Sequence, residues 1–408
     1  MPIWTDMGKV SIPRSLGLIL QGHIESDRQM AFVSGPRQVG KTTLCRNLAD
    51  HYLDWDNDNH RDLILAGPSV VAGRLSLNEL RTTRTILALD EIHKYSKWKT
   101  FLKGFFDTYN EICGTLVTGS SRLDVFKKGG DSMMGRYFSY RMHPLGISEI
   151  ITAAFPKKLL RAPRPVNEAD FQALWQFGGF PEPYLKRDRR FSVRWNRLRN
   201  EQLFREDVRE LTRIQELGQL ETLGRILASR SGKQIIHSRL ANEVRVEDKT
   251  IRSWITTLSS FHFGFLIQPW HRNVSRSLRK EPKWYLRDWA GISDAGARTE
   301  TFIACHLLKA VEGWSDLGLG NFELCYIRDK EKREVDFIVI RDDEPWFLVE
   351  AKTARTKISS NLGYFQRATG CQHAFQATLD MAFVDIDCFE TNDPVIVPAR
   401  TLLSQLTL

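Results

Sequence analysis

Gly35, Gly40, Lys41 and Thr42 have the residue types and the spacing of the phosphate-binding loop G-x-x-x-x-G-K-[ST]. In this pattern the glycines let backbone N–H groups surround a phosphate. The lysine reaches the β- and γ-phosphates, and the threonine hydroxyl binds Mg²⁺. We therefore predict that the loop binds ATP with Mg²⁺. The predicted contact residues are Gly35, Pro36, Arg37, Gln38, Val39, Gly40, Lys41, Thr42 and Thr43.

Two carboxylates, Asp90 and Glu91, follow the apolar run 86–89. Four apolar residues before Asp-Glu form the Walker B pattern of phosphate-loop ATPases. We expect Asp90 to hold Mg²⁺ through water and Glu91 to polarise the attacking water. A surface Asp-Glu pair is the alternative, but a position behind a phosphate loop and after a buried strand favours the functional interpretation.

Residues 114–141 contain candidates for two further roles in nucleotide hydrolysis. Ser120, with Thr118 as second choice, follows a buried strand and is our candidate for a sensor of the γ-phosphate; a turn cap is the alternative. Arg136 is our candidate for a finger that reaches a neighbouring subunit's phosphate, where positive charge stabilises the transition state. Arg122 and Arg141 compete for this role, and a solvated surface arginine is the alternative.

The last third of the chain contains a second set of acids. Asp336 lies on one predicted strand of a hairpin, and Glu350 and Lys352 share one face of the other because side chains alternate along a strand. Two carboxylates and a lysine are a set that can bind Mg²⁺ and activate water against a phosphodiester. Glu300, on a predicted amphipathic helix, would add a further acid. The Glu-x-Lys pattern is short, so only the combination is informative.

The elements between these sites alternate between strand and helix from 30 to 145, which predicts an α/β fold with a doubly wound parallel sheet. The pattern becomes helical at 146–230. Residues 232–270 resemble a winged helix, whose second helix would direct Lys249, Thr250, Arg252 and Ser253 outward, where they can meet DNA or solvent. The basic run 186–205 is either a solvated helix face or a surface for DNA or another subunit.

Composition limits the class of protein. The chain has 408 residues, a net charge of +9 and a pI near 9.2, which suits a polyanionic partner. No apolar run approaches the ~20 residues of a membrane span, and the amino terminus lacks the apolar core of a signal peptide. The six cysteines include no C-x-x-C pair. We expect a cytoplasmic protein without a membrane partner.

The chain resembles the bacterial and archaeal AAA+ ATPases that carry a C-terminal restriction-endonuclease-like domain of the PD-(D/E)xK type. The resemblance is carried by the phosphate loop, the strand 87–92 with its paired acids, the segment 116–121, Gly135-Arg136 and the motifs around Asp336 and Glu350. It implies an AAA+ nucleotide-binding domain at 1–150, a helical lid at 151–228, a winged helix at 229–288 and an endonuclease-like α/β domain at 289–408. It further implies a homo-oligomer, a hexamer, that acts on DNA.

Three functions are compatible with these features. The first is a hexameric ATP-driven motor that translocates on or remodels DNA, with branched duplexes such as forks and Holliday junctions as substrates. The second is an ATP-gated switch in signalling or defence, with slow turnover independent of DNA. The third is an ATP-dependent metal nuclease that cuts with Asp336, Glu350 and Lys352. Basic charge and the winged helix favour the first.

Overall fold

The computed structural model describes residues 5–6, 9–10, 12–80, 83–119, 133–208, 214–271 and 281–408. The chain divides into two compact units. Unit 1 comprises 1–143 with 153–155, and unit 2 comprises 144–152 with 156–408. No helix in the described ranges is both long enough and apolar enough to cross a membrane.

Unit 1 is built on a five-stranded parallel sheet, as the strand–helix alternation predicts. The strands of unit 1 are β1 (Thr5–Asp6), β2 (Lys9–Val10), β3 (Met30–Ser34), β4 (His51–Asp54), β5 (Thr85–Asp90), β6 (Cys113–Thr118) and β7 (Tyr137–Arg141). The sheet order is β4-β5-β6-β3-β7, so β6 lies between the loop strand β3 and the acid-bearing strand β5. Every residue of β3 and β6 is buried because both faces of a parallel sheet are covered.

The helices of unit 1 cover this sheet. In the last of them the buried residues Trp98, Phe101, Leu102, Phe105 and Phe106 recur at helical spacing, which places one apolar face on the core. The helices are α1 (Ser15–Ser26), α2 (Lys41–Leu48), α3 (Asp58–Leu65), α4 (Pro68–Arg74) and α5 (Trp98–Tyr109), with a 3₁₀ turn at Ile92–Lys94.

Unit 2 begins with a helical region, as predicted, and continues through two helices in the segment where the sequence predicts a winged helix. Its helices are α6 (Ile147–Ile151), α7 (Glu168–Phe177), α8 (Pro181–Lys186), α9 (Arg189–Gln202), α10 (Leu217–Ser229), α11 (His237–Val244), α12 (Asp248–Ser260), α13 (Ala295–Asp316), α14 (Ser360–Thr369) and α15 (Ala399–Gln405). A π-helical turn extends α9 at Leu203–Asp207, and a 3₁₀ turn lies at Cys388–Glu390.

The strands of unit 2 form one eight-stranded mixed sheet. They are β8 (Lys233–Gln234), β9 (Gly264–Pro269), β10 (Lys283–Leu286), β11 (Phe322–Arg328), β12 (Glu334–Arg341), β13 (Glu344–Lys352), β14 (His373–Thr378) and β15 (Val395–Pro398). The order is β15-β14-β13-β12-β11-β9-β10-β8. Strand β9, which the sequence predicts to be a wing strand, pairs in parallel with β11, so the predicted winged-helix segment and the C-terminal region share a sheet. The sequence predicts a domain boundary between residues 288 and 289, and this position lies between β10 and β11 along the chain, two strands of that one sheet.

Candidate functional sites

The phosphate loop connects β3 to α2 and depends on two glycines with positive φ. Gly35 has φ 145°, and a Cβ atom there would lie 2.3 Å from the carbonyl oxygen of Met142. Gly40 has φ 104° and directly precedes Lys41, the first residue of α2. Because only glycine adopts such backbone conformations readily, the loop can bend back and present the start of α2 to an anion.

The side chain of Lys41 is folded inside the loop. Its Nζ donates hydrogen bonds of 2.8 Å to the carbonyl oxygens of Gly35 and Pro36. Burial lowers the pKa of Lys41 to about 8, although Glu91 and Asp90 act to raise it. An ammonium group has three donors, so two contacts with loop carbonyls leave one donor for a phosphate oxygen.

Asp90, at the end of β5, is held by three hydroxyl groups. Its Oδ2 accepts hydrogen bonds from Thr42 Oγ1 at 2.8 Å and from the phenol of Tyr52 at 2.6 Å. Its Oδ1 accepts one from Thr118. Burial, followed by the hydrogen bond to Asp90, raises the pKa of the Tyr52 phenol. The carboxylate is therefore fixed beside the threonine that the sequence pattern assigns to Mg²⁺.

Glu91 follows at a strained position, with φ 54°. Its backbone N–H donates to the carbonyl of Thr118, and its Oε2 lies 3.6 Å from His93 Nε2 and 3.5 Å from Lys94 Nζ. Burial raises the pKa of Glu91, Lys94 lowers it, and Asp90 raises it again, with a net upward shift. A carboxylate with a raised pKa at the end of the Walker B strand is suited to orient water and accept a proton.

The candidates for sensor and finger are only partly described. Ser120 and the competing Arg122 lie outside the described residues. Arg136 precedes β7 and forms a bidentate pair with Asp107 of α5, with Nε to Oδ1 at 2.8 Å and Nη2 to Oδ2 at 3.0 Å. The hydrogen bond from Arg136 lowers the pKa of Asp107. Within its own chain, Arg136 is thus engaged by a carboxylate.

The outward face of α12 carries most of the residues expected there. Lys249, Arg252 and Ser253 are exposed, whereas Thr250 is half-buried. Arg252 Nε donates a hydrogen bond of 2.7 Å to Asp248 one turn earlier. Ile251, Trp254, Ile255 and Leu258 form the buried face.

A second charged cluster lies in unit 2 around the ammonium group of Lys283. Lys283 Nζ lies 3.0 Å from Glu300 Oε1 and 2.7 Å from Glu334 Oε1. It also lies 3.3 Å from Asp336 Oδ1, while the phenol of Tyr285 donates to Glu300 at 2.6 Å. Burial lowers the pKa of Lys283, but Asp336, Glu300 and Glu334 raise it, and the net shift is upward. The ammonium group therefore stays charged.

Glu350 and Lys352 lie beside this cluster, on β13. Lys352 Nζ donates a hydrogen bond of 2.8 Å to Glu350 Oε1, whereas Glu350 Oε2 is buried and accepts no hydrogen bond within the described ranges. Burial and then Asp336 raise the pKa of Glu350 to about 7, against the lowering effect of Lys352. Burial and then Asp336 likewise raise the pKa of Glu300 to about 7.

The structure thus brings together the acids that the sequence grouped. Asp336 Oδ1 faces Lys283, and its Oδ2 accepts a hydrogen bond of 3.0 Å from the backbone N–H of Ala351. In the described part of the chain, no group of three or more His, Cys, Asp or Glu side chains is arranged to hold a metal ion. Sequence reasoning missed Lys283, because it reaches the acids only through the pairing of β10 with β9, of β9 with β11 and of β11 with β12.

Comparisons with known proteins agree with the first unit's geometry. Residues 27–151 match the family described as AAA domain. Residues 168–295 and 295–386 match two families described as domains of unknown function, DUF8612 and DUF4143. Two curated relatives are the uncharacterized proteins Mb2031c of Mycobacterium bovis and Rv2008c of Mycobacterium tuberculosis. Each is 22% identical over 351 residues, which span 82% of this chain and 72% of the relative.

Similar solved structures include a RuvB from Thermotoga maritima, with a TM-score of 0.27 and 17% identity over 61% of this chain and 86% of that one. A DNA polymerase III gamma subunit-related protein from the same organism has a TM-score of 0.25 and 14% identity over 74% of this chain and 88% of that one. With TM-scores this low, these structures do not extend what the family match establishes. The match to the AAA domain family covers the stretch 27–151, which contains the phosphate loop and the paired acids.

Proposed function

We propose that this chain is an ATPase that hydrolyses ATP with Mg²⁺ at the carboxyl end of the parallel sheet in unit 1. The observation that carries the proposal is the hydrogen bond of 2.8 Å from Thr42 to Asp90, because it joins the phosphate loop to the strand of paired acids. A hydroxyl and a carboxylate side by side are the hard oxygen donors that Mg²⁺ prefers. When bound there, Mg²⁺ would neutralise charge on the β- and γ-phosphates.

The chain's own residues supply the other parts of the reaction. Buried Lys41 places a positive charge inside the loop, and the start of α2 adds backbone N–H donors. Thr118 and Tyr52 fix the orientation of Asp90. Glu91, next along the chain, orients the attacking water and takes up its proton. Ser120 remains our candidate for the sensor.

We further propose that hydrolysis is coupled to translocation on or remodelling of DNA, with forks and four-way junctions as the preferred substrates. The support is the net charge of +9, the exposed Lys249, Arg252 and Ser253 on α12, and the family resemblance. Basic side chains on the second helix of a winged helix are positioned to contact a duplex. Phosphate contacts of this kind make binding strongly dependent on salt.

ATP turnover with and without a four-way junction tests this coupling. We expect DNA to stimulate turnover in the wild type. The double variant Lys249→Ala/Arg252→Ala should weaken DNA binding and reduce the slope of log K against log salt by roughly 2, since each lost phosphate contact removes about 0.9. The matched control is Arg194→Ala/Arg197→Ala, which removes two exposed arginines of α9.

If the α9 variant alone loses DNA binding, the contact surface is the basic run 186–205. If the wild type ignores every DNA at low salt, the proposed DNA coupling is wrong and only the ATPase proposal stands. Slow turnover that is independent of DNA would instead favour an ATP-gated switch.

We also propose that the active form is a homo-oligomer, a hexamer, in which Arg136 acts on a neighbour's nucleotide. Arg136 would have to exchange Asp107 of its own chain for the neighbour's γ-phosphate. In mixtures with the wild type, Arg136→Ala subunits should depress ATP turnover more than in proportion to their share. Arg197→Ala, at an exposed arginine, serves as control. A strictly proportional loss would reject the role in trans.

A further inference from the structure

The charged cluster of unit 2 has a lysine at the place where a nuclease centre needs a metal ion. Lys283 is only 4% exposed, and its Nζ contacts carboxylate oxygens of Glu300, Glu334 and Asp336 at 2.7 to 3.3 Å. Three carboxylates around one ammonium group match the three N–H donors that the group has. The donors of Lys283 are therefore satisfied by the acids themselves.

The charges in this cluster are nearly balanced by side chains of the chain itself. The acids are Glu300, Glu334, Asp336 and Glu350, and the cations that contact them are Lys283, Lys352 and Arg328. Arg328 Nη1 lies 3.1 Å from Glu334 Oε2, and Lys352 Nζ lies 2.8 Å from Glu350 Oε1. Among the described residues, four formal negative charges thus face three positive charges before any ion is added.

A divalent cation does not fit this arrangement. Mg²⁺ requires oxygen ligands in near-octahedral geometry at about 2.0–2.1 Å, and the ammonium group of Lys283 stands among the oxygens that would supply them. Two positive charges in one buried site repel each other strongly because the local dielectric constant is low. The remaining oxygen of Asp336 is also engaged, since Oδ2 accepts the backbone N–H of Ala351 at 3.0 Å.

We infer that Lys283 is a resident cation that takes the place of a divalent metal in this acidic centre, so that the centre holds unit 2 together instead of cutting DNA. Lys283 belongs to β10, a strand of the winged-helix hairpin, whereas Asp336 belongs to β12 and Glu300 to α13. The ion pairs therefore tie three separate elements of unit 2 to each other. This inference concerns unit 2 alone and does not depend on the proposed ATPase activity.

Binding of Mn²⁺ to the nucleotide-free full chain, measured by electron paramagnetic resonance, tests the inference. The wild type and its Asp336→Asn variant should bind the same number of Mn²⁺ ions. Lys283→Met, which removes the charge but keeps the length of the side chain, should bind one additional ion per chain. The double variant Lys283→Met/Asp336→Asn should lose that ion. Lys352→Met is the matched control and should bind no additional ion, because Lys283 is still in place.

Two results would overturn the inference. One is a Mn²⁺ ion in the wild type that Asp336→Asn removes, and the other is a folded Lys283→Met variant that gains no ion. Circular dichroism reports whether Lys283→Met is folded, and its Tm should rise with added Mn²⁺ while that of the wild type stays unchanged. If Lys283→Met does not fold, the comparison of wild type with Asp336→Asn decides alone.

Discussion

At the scale of single residues, the surroundings of the Asp90 side chain depend on contacts between separate elements. Its three hydroxyl donors, Thr42, Tyr52 and Thr118, come from α2, β4 and β6. Local spacing identified Thr42 as a ligand of Mg²⁺. Thr118 was the second choice for the γ-phosphate sensor because it lies at a strand end. Tyr52 could not be found this way, because its contact requires β4 to pair with β5, and no local pattern specifies that neighbour.

Tyr52→Phe removes one hydroxyl donor from Asp90 and keeps the aromatic ring. We expect the Mg²⁺ concentration needed for half-maximal ATP turnover to rise by about 10–100-fold, as is typical when a group that orients a metal ligand is lost. The measurement is the ATPase rate over a titration of Mg²⁺. Tyr109→Phe, at a partly buried tyrosine of the same unit, is the control. Unchanged Mg²⁺ dependence in Tyr52→Phe would show that the hydroxyl has no such role.

His306 makes the stability of the folded chain depend on pH, because its burial and the hydrogen bond that it accepts from Ile147 favour the neutral ring. Its Nδ1 lies 2.7 Å from the carbonyl oxygen of Phe302, and its Nε2 accepts a hydrogen bond of 3.1 Å from the backbone N–H of Ile147. Only the neutral ring can accept at Nε2. Burial lowers the pKa of His306 to about 4, the bond to Phe302 raises it, and Lys309 lowers it.

Between the unfolded pKa of 6.5 and the folded pKa of about 4, the unfolded chain binds a proton that the folded chain does not. Stability therefore falls as the pH decreases through this window, by about 3 kcal/mol in total, and the effect levels off below pH 4. Urea unfolding at a series of pH values measures the slope of the free energy of unfolding against pH. This slope should be reduced in His306→Gln, whose amide oxygen can still accept a hydrogen bond from Ile147. His51→Gln should keep the slope. An identical slope in His306→Gln would contradict the assignment.

At the scale of elements, strand and helix alternation was enough to predict the parallel sheet of unit 1. The parallel sheet, the loop between β3 and α2, and the amphipathic helix α5 are confirmed, because each rests on local periodicity and on apolar runs. The joining of the predicted winged-helix segment to the C-terminal sheet was not predicted. It depends on the pairing of β9 with β11, two strands separated along the chain by β10 and the long helix α13.

Gly35→Ala tests the backbone geometry of the phosphate loop. The added Cβ would meet the carbonyl oxygen of Met142 at 2.3 Å, at a φ that alanine rarely adopts. We expect loss of ATP binding and a destabilisation of roughly 1–3 kcal/mol. Gly67→Ala is the matched control, since Gly67 also has a positive φ but has no atom within 4 Å of the added Cβ. Isothermal titration with ATP measures the loss of binding, and thermal unfolding measures the destabilisation. Normal ATP affinity in Gly35→Ala would contradict the loop geometry.

At the scale of the whole molecule, the chain joins a region that matches the AAA domain family to regions that match two families of unknown function. The phosphate loop and the paired acids are strong sequence signals because the chemistry needs those residues at those spacings. The short Asp…Glu-x-Lys pattern is a weaker signal, since it says nothing about the side chain that stands among the acids. Lys283 was therefore visible only in the fold, and it changes what the acidic centre of unit 2 can do.

The steady-state rate of ATP hydrolysis by purified Lys41→Ala tests the central claim most directly, with Lys352→Ala as a control at a lysine of unit 2. Because Lys41 is the buried cation of the phosphate loop, its removal should lower turnover by about 100-fold or more, while Lys352→Ala keeps the wild-type rate. Full turnover by Lys41→Ala would contradict the claim that this loop is the site of ATP hydrolysis.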